Sequence, residues 1–155
     1  MKIHPLIPLL VVAVALPACG KKPSPHSGTY LYQGRDTTMG EEITQAEIRL
    51  NPDGTASALV RSHGHIEAIG TTTIDVTLSG KGTWTDAGEK AEAVIVIDKW
   101  VNKGKELVPS EPFRITLSGG AFPSVSASSI KPKDGPSFVP SFTPIFGLWT
   151  HEPAP

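Results

Sequence analysis

Polar and apolar residues alternate along most of residues 28–131, which predicts β-strands rather than helices. Over 46–50, Ala, Ile and Leu fall on one face of a strand, while Glu and Arg fall on the other. The residues Asn51-Pro52-Asp53-Gly54 then supply a turn, in which proline presets φ and glycine accepts a positive φ. Apolar residues alternate again over 56–60, so this part of the chain predicts a β-hairpin.

Further strands are predicted by the same reasoning at 74–78, 93–97, 113–117 and 124–130. About eight strands spaced about 8–12 residues apart are typical of antiparallel sandwiches and barrels. We therefore predict an all-β fold, an antiparallel up-and-down barrel of about eight strands over 28–131. Eleven of the 15 prolines lie outside this segment, so both terminal arms are expected to be extended and proline-rich.

The first 18 residues have the layout of a secretory signal peptide. Lys2 precedes an apolar run of eleven residues, from Leu6 to Leu16, and small residues follow it. As a helix the run would reach about 17 Å at about 1.5 Å per residue, against about 30 Å for the hydrocarbon core of a bilayer. A signal peptide over 1–18 is therefore predicted, rather than a membrane-spanning helix.

The residues Leu16-Pro17-Ala18-Cys19 resemble the lipobox of bacterial lipoproteins. The resemblance implies that Cys19 becomes the first residue after cleavage and carries diacylglycerol on its sulfur, a covalent lipid with no other cofactor. It also implies membrane anchoring, and Gly20 in place of the Asp that favours inner-membrane retention implies the periplasmic side of the outer membrane. A thioether would account for the chain's single cysteine in an oxidising envelope. Residues 19–27 are then expected to form the lipidated end and an extended tether.

Three short motifs of the middle segment look like those of small lipocalin-like barrels in bacterial envelope lipoproteins. They are Gly28-Thr29-Tyr30, the hairpin turn at 51–55 and Gly82-Thr83-Trp84. Copper-homeostasis and envelope-stress lipoproteins and META-type domains are among the proteins of this kind. The copper-associated members carry a Cys-x-x-Cys that this chain lacks, so the resemblance implies no thiolate metal chemistry.

His63 and His65 are the candidate metal ligands. On a strand, residues i and i+2 share a face, so both imidazoles could bind one Zn²⁺ or Cu²⁺. The alternative is a solvated loop between strands in which Gly64 forms the bend.

Aromatic residues are the candidate contacts for a ligand or partner. Trp84 and Trp100, with Tyr30 and Tyr32, could line the mouth of a ligand-holding barrel, or could simply fill its core.

The segment 132–155 contains a four-residue unit repeated three times, with phenylalanines in step with prolines at Phe138, Phe142 and Phe146, and Trp149 follows. Prolines so spaced disfavour a helix or a central strand, so an extended chain is expected. This segment is either a strap across the barrel that adds a last strand near 145–150, or a docking peptide for an envelope partner.

The charge balance, 14 Lys+Arg against 15 Asp+Glu without a basic run, argues against a nucleic-acid partner. The chain lacks Gly-x-Ser-x-Gly, a phosphate-binding Gly-x-x-x-x-Gly-Lys-Ser/Thr and His-Glu-x-x-His, so we expect no enzyme. The predicted function is that of a lipid-anchored envelope lipoprotein acting as a non-catalytic binding or structural module, with an envelope protein or cell-wall component as partner. The alternatives are a carrier of a small hydrophobic or metal ligand and, third, an inhibitor of a wall-degrading enzyme.

Overall fold

The computed structural model describes residues 23–37, 40–66, 72–119, 123–134 and 147–155. Within these ranges the chain is all-β, and no helix has the length and apolar composition needed to cross a membrane. The strands are β1 (Gly28–Asp36), β2 (Gly40–Leu50), β3 (Thr55–Ile66), β4 (Thr72–Asp86), β5 (Ala91–Asn102), β6 (Lys105–Glu106), β7 (Phe113–Ser118), β8 (Ser124–Ala127) and β9 (Gly147–Pro153).

Eight of these strands form one antiparallel sheet in the order β8-β7-β5-β4-β3-β2-β1-β9, and the short β6 pairs with β5. The sheet is nearly closed into a barrel, which confirms the predicted fold class. The predicted hairpin is present, because β2 and β3 pair in the register that brings Leu50 opposite Ala56. At the C-terminus, β9 pairs with β1 from Gly28↔Pro153 to Gly34↔Gly147, so the last strand of the chain lies beside the first.

The interior is filled by alternate side chains of every long strand. The strand registers place six of these side chains in one layer across the barrel. All six are buried, and three of them are large aromatic residues: Trp149, Tyr32, Ala46, Val60, Leu78 and Trp100. Because large rings occupy the centre of an eight-stranded barrel, little interior space is left at this level.

The two ends of the barrel differ. We call one end the base; it carries the start of β1, the turns at 51–54 and 87–90, and the ends of β7 and β9. The other end, which we call the mouth, carries the end of β1, the turn at 103–104 and the start of β9.

Residues 23–27 are part of the folded barrel, although the sequence assigned them to the tether. His26 and Ser27 are buried, with 5% and 1% of their surface exposed. The backbone turns back at this point, since the N–H of Ser27 donates to the carbonyl oxygen of Ser24 at 3.0 Å. The segment therefore closes the base of the barrel.

Two glycines allow neighbouring strands to approach closely. A Cβ at Gly82 on β4 would overlap the carbonyl oxygen of Val94 on β5. A Cβ at Gly28, where φ is +141°, would overlap the carbonyl oxygen of Glu152 on β9. Both glycines belong to the motifs that the sequence singled out, and each serves a strand-to-strand contact.

Candidate functional site

Four of the predicted site residues lie outside the described residues: Cys19, Phe138, Phe142 and Phe146. Lipidation and the choice between a strap and a docking peptide for 135–146 stay predictions. The last strand expected near 145–150 is found as β9, and it places Trp149 inside the barrel.

His63 and His65 both lie within β3, so the loop bent at Gly64 is not what the chain forms. Gly64 instead sits inside the strand at φ +151°, where a Cβ would overlap the carbonyl oxygen of Glu41. His63 is opposite Asp75 on β4, and His65 is opposite Glu41 on β2. In the described part of the chain, no three His, Cys, Asp or Glu side chains come together as a metal-binding group.

Trp84, Trp100 and Trp149 are core residues, with 8%, 1% and 7% of their surfaces exposed. Trp84 lies near the base, where its Nε1–H donates to the carbonyl oxygen of Asn51 at 2.8 Å and so fixes the hairpin turn. Trp149 packs on Tyr32, with 5.1 Å between the ring centroids. The three indoles thus help to fill the core of the barrel. Of the two possibilities that the sequence left open, this is core filling rather than the lining of a ligand-holding mouth.

Towards the mouth, the interior becomes polar. The hydroxyls of Thr44 and Ser62 are 2.9 Å apart, both side chains are buried, and both hydroxyls donate to Oε1 of Glu42. The carboxylate has two internal donors, which offset the cost of its partial burial. This cluster is a satisfied hydrogen-bond network of the barrel wall.

An open groove of about 430 Å³ lies on the outer face of β9, β1, β2 and β3. Its apolar part is formed by Leu31, Leu59 and Leu148, one from each of three strands. Leu31 lies between Glu47 on β2 and Thr150 on β9, and Leu59 lies beyond Glu47 on β3. The volume is within the range of small-molecule pockets, about 300–1,000 Å³.

The groove combines apolar contacts with hydrogen-bonding and charged groups. Gln33 and Gln45 supply two side-chain amides, Arg61 a cation and Glu47 a carboxylate, which also accepts from Arg49 Nε at 2.5 Å. Leu148 is 76% exposed and lines the groove together with Leu31 and Leu59, so part of the apolar surface of the groove is open to solvent. An apolar floor with a few polar groups is the lining that is typical of ligand pockets, in which it gives both affinity and orientation.

The sequence did not indicate this groove, although one signal was present. Leu31, Leu59 and Leu148 occupy positions that alternate with the buried ones, so each is a leucine on the face where polar residues are expected. Only the sheet order brings the three together, because β9 is hydrogen-bonded to β1 and not to its chain neighbour β8.

A second constellation fastens the N-terminal segment to the base. Nε2–H of His26 donates to the carbonyl oxygen of Gly88 at 2.9 Å, and Nδ1 accepts the backbone N–H of Gly119 at 3.3 Å. The hydroxyl of Ser24 donates to Asp86 Oδ2 at 2.5 Å. That bond, with a second from the backbone of Gly88, holds the pKa of Asp86 below its usual value.

The other side of the segment is bonded to β9 and β1. The carbonyl oxygen of Ser27 accepts the backbone N–H of Ala154 at 3.0 Å and Nε2–H of His151 at 3.3 Å. The ring of His151 stacks on Tyr30, with centroids 4.2 Å apart, and the Tyr30 hydroxyl donates to the carbonyl oxygen of His26. The segment thus connects β9 to β7 and to the β4–β5 turn at the base.

Comparisons of the chain with protein-family models, with the sequences of curated proteins and with solved structures find no match. The resemblance to bacterial lipoproteins therefore rests on the residues that carry it, Leu16 to Cys19.

Proposed function

We propose that this protein is a lipid-anchored lipoprotein of the bacterial envelope that acts as a non-catalytic binding module. The observation that carries the anchor is the motif Leu16-Pro17-Ala18-Cys19 directly after an apolar run of signal-peptide length. Two or three acyl chains on one cysteine hold a protein stably at a membrane, whereas one chain binds only marginally. The outer membrane, on its periplasmic side, is the proposed location.

The position of the folded domain supports this assignment. The described chain begins at Pro23, four residues after Cys19, and residues 23–27 already belong to the barrel. A signal peptide that was kept would therefore place an apolar run of eleven residues close to the base. Cleavage before Cys19 would remove that run and leave the barrel intact.

The test is the variant Cys19→Ala, expressed with its signal in a lipoprotein-processing bacterium. The unchanged protein is expected in the detergent phase after temperature-induced phase separation, with the mass of a diacylated or triacylated chain that begins at Cys19. Cys19→Ala is expected in the aqueous phase or as the uncleaved precursor. Pro17→Ala is the matched control, since it changes the same motif yet should keep the lipid. A Cys19→Ala protein with unchanged partition and lipidated mass would refute the anchor.

The proposed binding role is supported by the outer-face groove. Its three leucines and its polar side chains would suit an extended segment of an envelope protein that presents apolar side chains beside main-chain amides. The filled layer of aromatic side chains inside the barrel gives the ligand-carrier alternative no comparable support.

The binding role is tested by placing a photo-crosslinking amino acid at Leu148 in intact cells. Val96 is the matched control, because it is also a large apolar residue exposed on a strand, at 62%, and it lies on β5 outside the groove. We expect an adduct of defined mass from position 148 that is lost when Leu31→Glu is added, and no such adduct from position 96. Equal adducts from both positions would contradict a role for the groove.

A further inference from the structure

The N-terminal segment leaves the barrel on the opposite side from the groove. From Gly28 on β1 it crosses the base towards the β4–β5 turn, where Ser24 bonds Asp86 and His26 bonds Gly88. In the sheet order, β4 and β5 are separated from β1 by β2 and β3 on one side. They are separated from it by β7, β8 and β9 on the other side. The exit point at Pro23 thus lies under the wall that faces away from the groove.

The chain between this exit point and the proposed lipid is short. Four residue steps separate Cys19 from Pro23, and at about 3.3–3.6 Å per residue they span at most about 14 Å. The barrel itself is longer than that. β3 has twelve residues, which at about 3.3 Å each and a tilt of about 40° give a height of about 30 Å along the axis. With the lipid on Cys19, the short chain to Pro23 could not reach far enough for the mouth to lie at the membrane in place of the base.

We propose that the base of the barrel, at its β4–β5 turn, is a membrane-facing surface held against phospholipid headgroups, and that the groove and the mouth face away from the bilayer. This inference rests on the proposed lipidation of Cys19. The orientation is restricted because residues 23–27 are bonded to the base of the barrel. An extended tether over the eight residues 20–27 would instead let the barrel turn freely. The protein would then present its groove to the periplasm in a fixed orientation.

The charged residues at the base indicate which kind of lipid headgroup the base would contact. The turns there and the strand ends beside them carry exposed carboxylates at Asp53, Asp86, Glu89 and Glu152, with an exposed amine at Lys90. In the sequence, Lys21 and Lys22 stand between Cys19 and Pro23. Zwitterionic headgroups suit this mixture, because they offer an amine to each carboxylate, whereas a strongly anionic surface would repel the acidic turns.

The orientation can be measured with a single environment-sensitive fluorophore on the lipidated protein. The thiol of Cys19 is consumed by the lipid, so one introduced cysteine is the only site of labelling. Suitable positions are Glu89→Cys at the base, Lys105→Cys towards the mouth and Leu148→Cys in the groove, all of which are exposed. Each labelled protein is reconstituted in phosphatidylcholine vesicles that contain a lipid with a nitroxide on its headgroup, a short-range quencher.

We expect the probe at position 89 to lose most of its fluorescence, while the probes at 105 and 148 lose little. A Gly/Ser linker inserted between Lys22 and Pro23 should abolish this difference, although the protein stays bound to the vesicles, since a flexible chain of n residues spans about 5–6 Å × √n. Equal quenching at the three positions, or stronger quenching at 105 or 148, would overturn the inference. Failure of the unchanged protein to acquire lipid would instead refute the proposed function, so the two failures are distinguishable.

Discussion

Two neighbouring residues of the last strand offer a sharp test of how the barrel is completed. Trp149 and Leu148 are adjacent on β9 and point to opposite faces of the sheet. The indole of Trp149 is 7% exposed and packs on Tyr32, whereas Leu148 is 76% exposed on the outer face. The substitutions Trp149→Ala and Leu148→Ala therefore remove apolar side chains from the same strand in opposite environments.

The expected effects on the free energy of unfolding differ several-fold. Removing a buried tryptophan typically costs about 3–5 kcal/mol, through lost burial and the cavity left behind. Removing a largely exposed leucine costs less than about 0.5 kcal/mol. Since a domain of this size loses about 2–4 °C of Tm for each kcal/mol, Trp149→Ala should lower Tm by about 6–20 °C, and Leu148→Ala by about 2 °C or less.

The assays are urea unfolding and thermal unfolding of the Cys19→Ala protein without its signal. Both are followed by far-ultraviolet circular dichroism, which does not depend on Trp149 as a reporter. A loss of stability confined to Trp149→Ala would support a C-terminal strand that belongs to the barrel. Equal small effects of both substitutions would refute this reasoning and favour a C-terminal segment that detaches as a docking peptide.

The elements that the sequence predicted well are those in which local residues determine the structure. In the turn at 51–54, Gly54 has the positive φ of +85° that the pattern required. Asp53 Oδ1 accepts from both the backbone and the hydroxyl of Thr55, which lowers the pKa of Asp53. The motif Gly82-Thr83-Trp84 supports that same turn from a distance, since its indole bonds Asn51 from 33 positions further along the chain.

The features that the sequence missed depend on residues distant in the chain. His26 is held by Gly88 and Gly119, which follow it by 62 and 93 positions, so nothing near His26 distinguishes a fastened segment from a solvated one. The groove likewise needs Leu31 and Leu148 side by side, 117 positions apart. Local alternation predicts which face a residue takes, but the order of strands in the sheet decides its neighbours.

Three further predictions concern the base and the strands above it. Gly82→Ala should lower the free energy of unfolding by about 1–3 kcal/mol, because the new Cβ meets the rigid backbone of β5. Thermal unfolding would measure this loss. Burial raises the pKa of Tyr30 from 10.0 to about 12. The Tyr30 hydroxyl therefore ionises first in the unfolded chain, and the free energy of unfolding should fall as the pH rises from 10 towards 12. Tyr30→Phe should remove the contribution of this residue to that slope. Burial, opposed by the hydrogen bond to Ser27, lowers the pKa of His151 below 6.5. The unfolded chain therefore takes up this proton first as the pH falls, so urea midpoints should be independent of His151 above pH 6.5 and should decrease below it. His151→Phe keeps a ring against Tyr30 without a titrating group, and an unchanged acid slope in that variant would show that His151 is not its source.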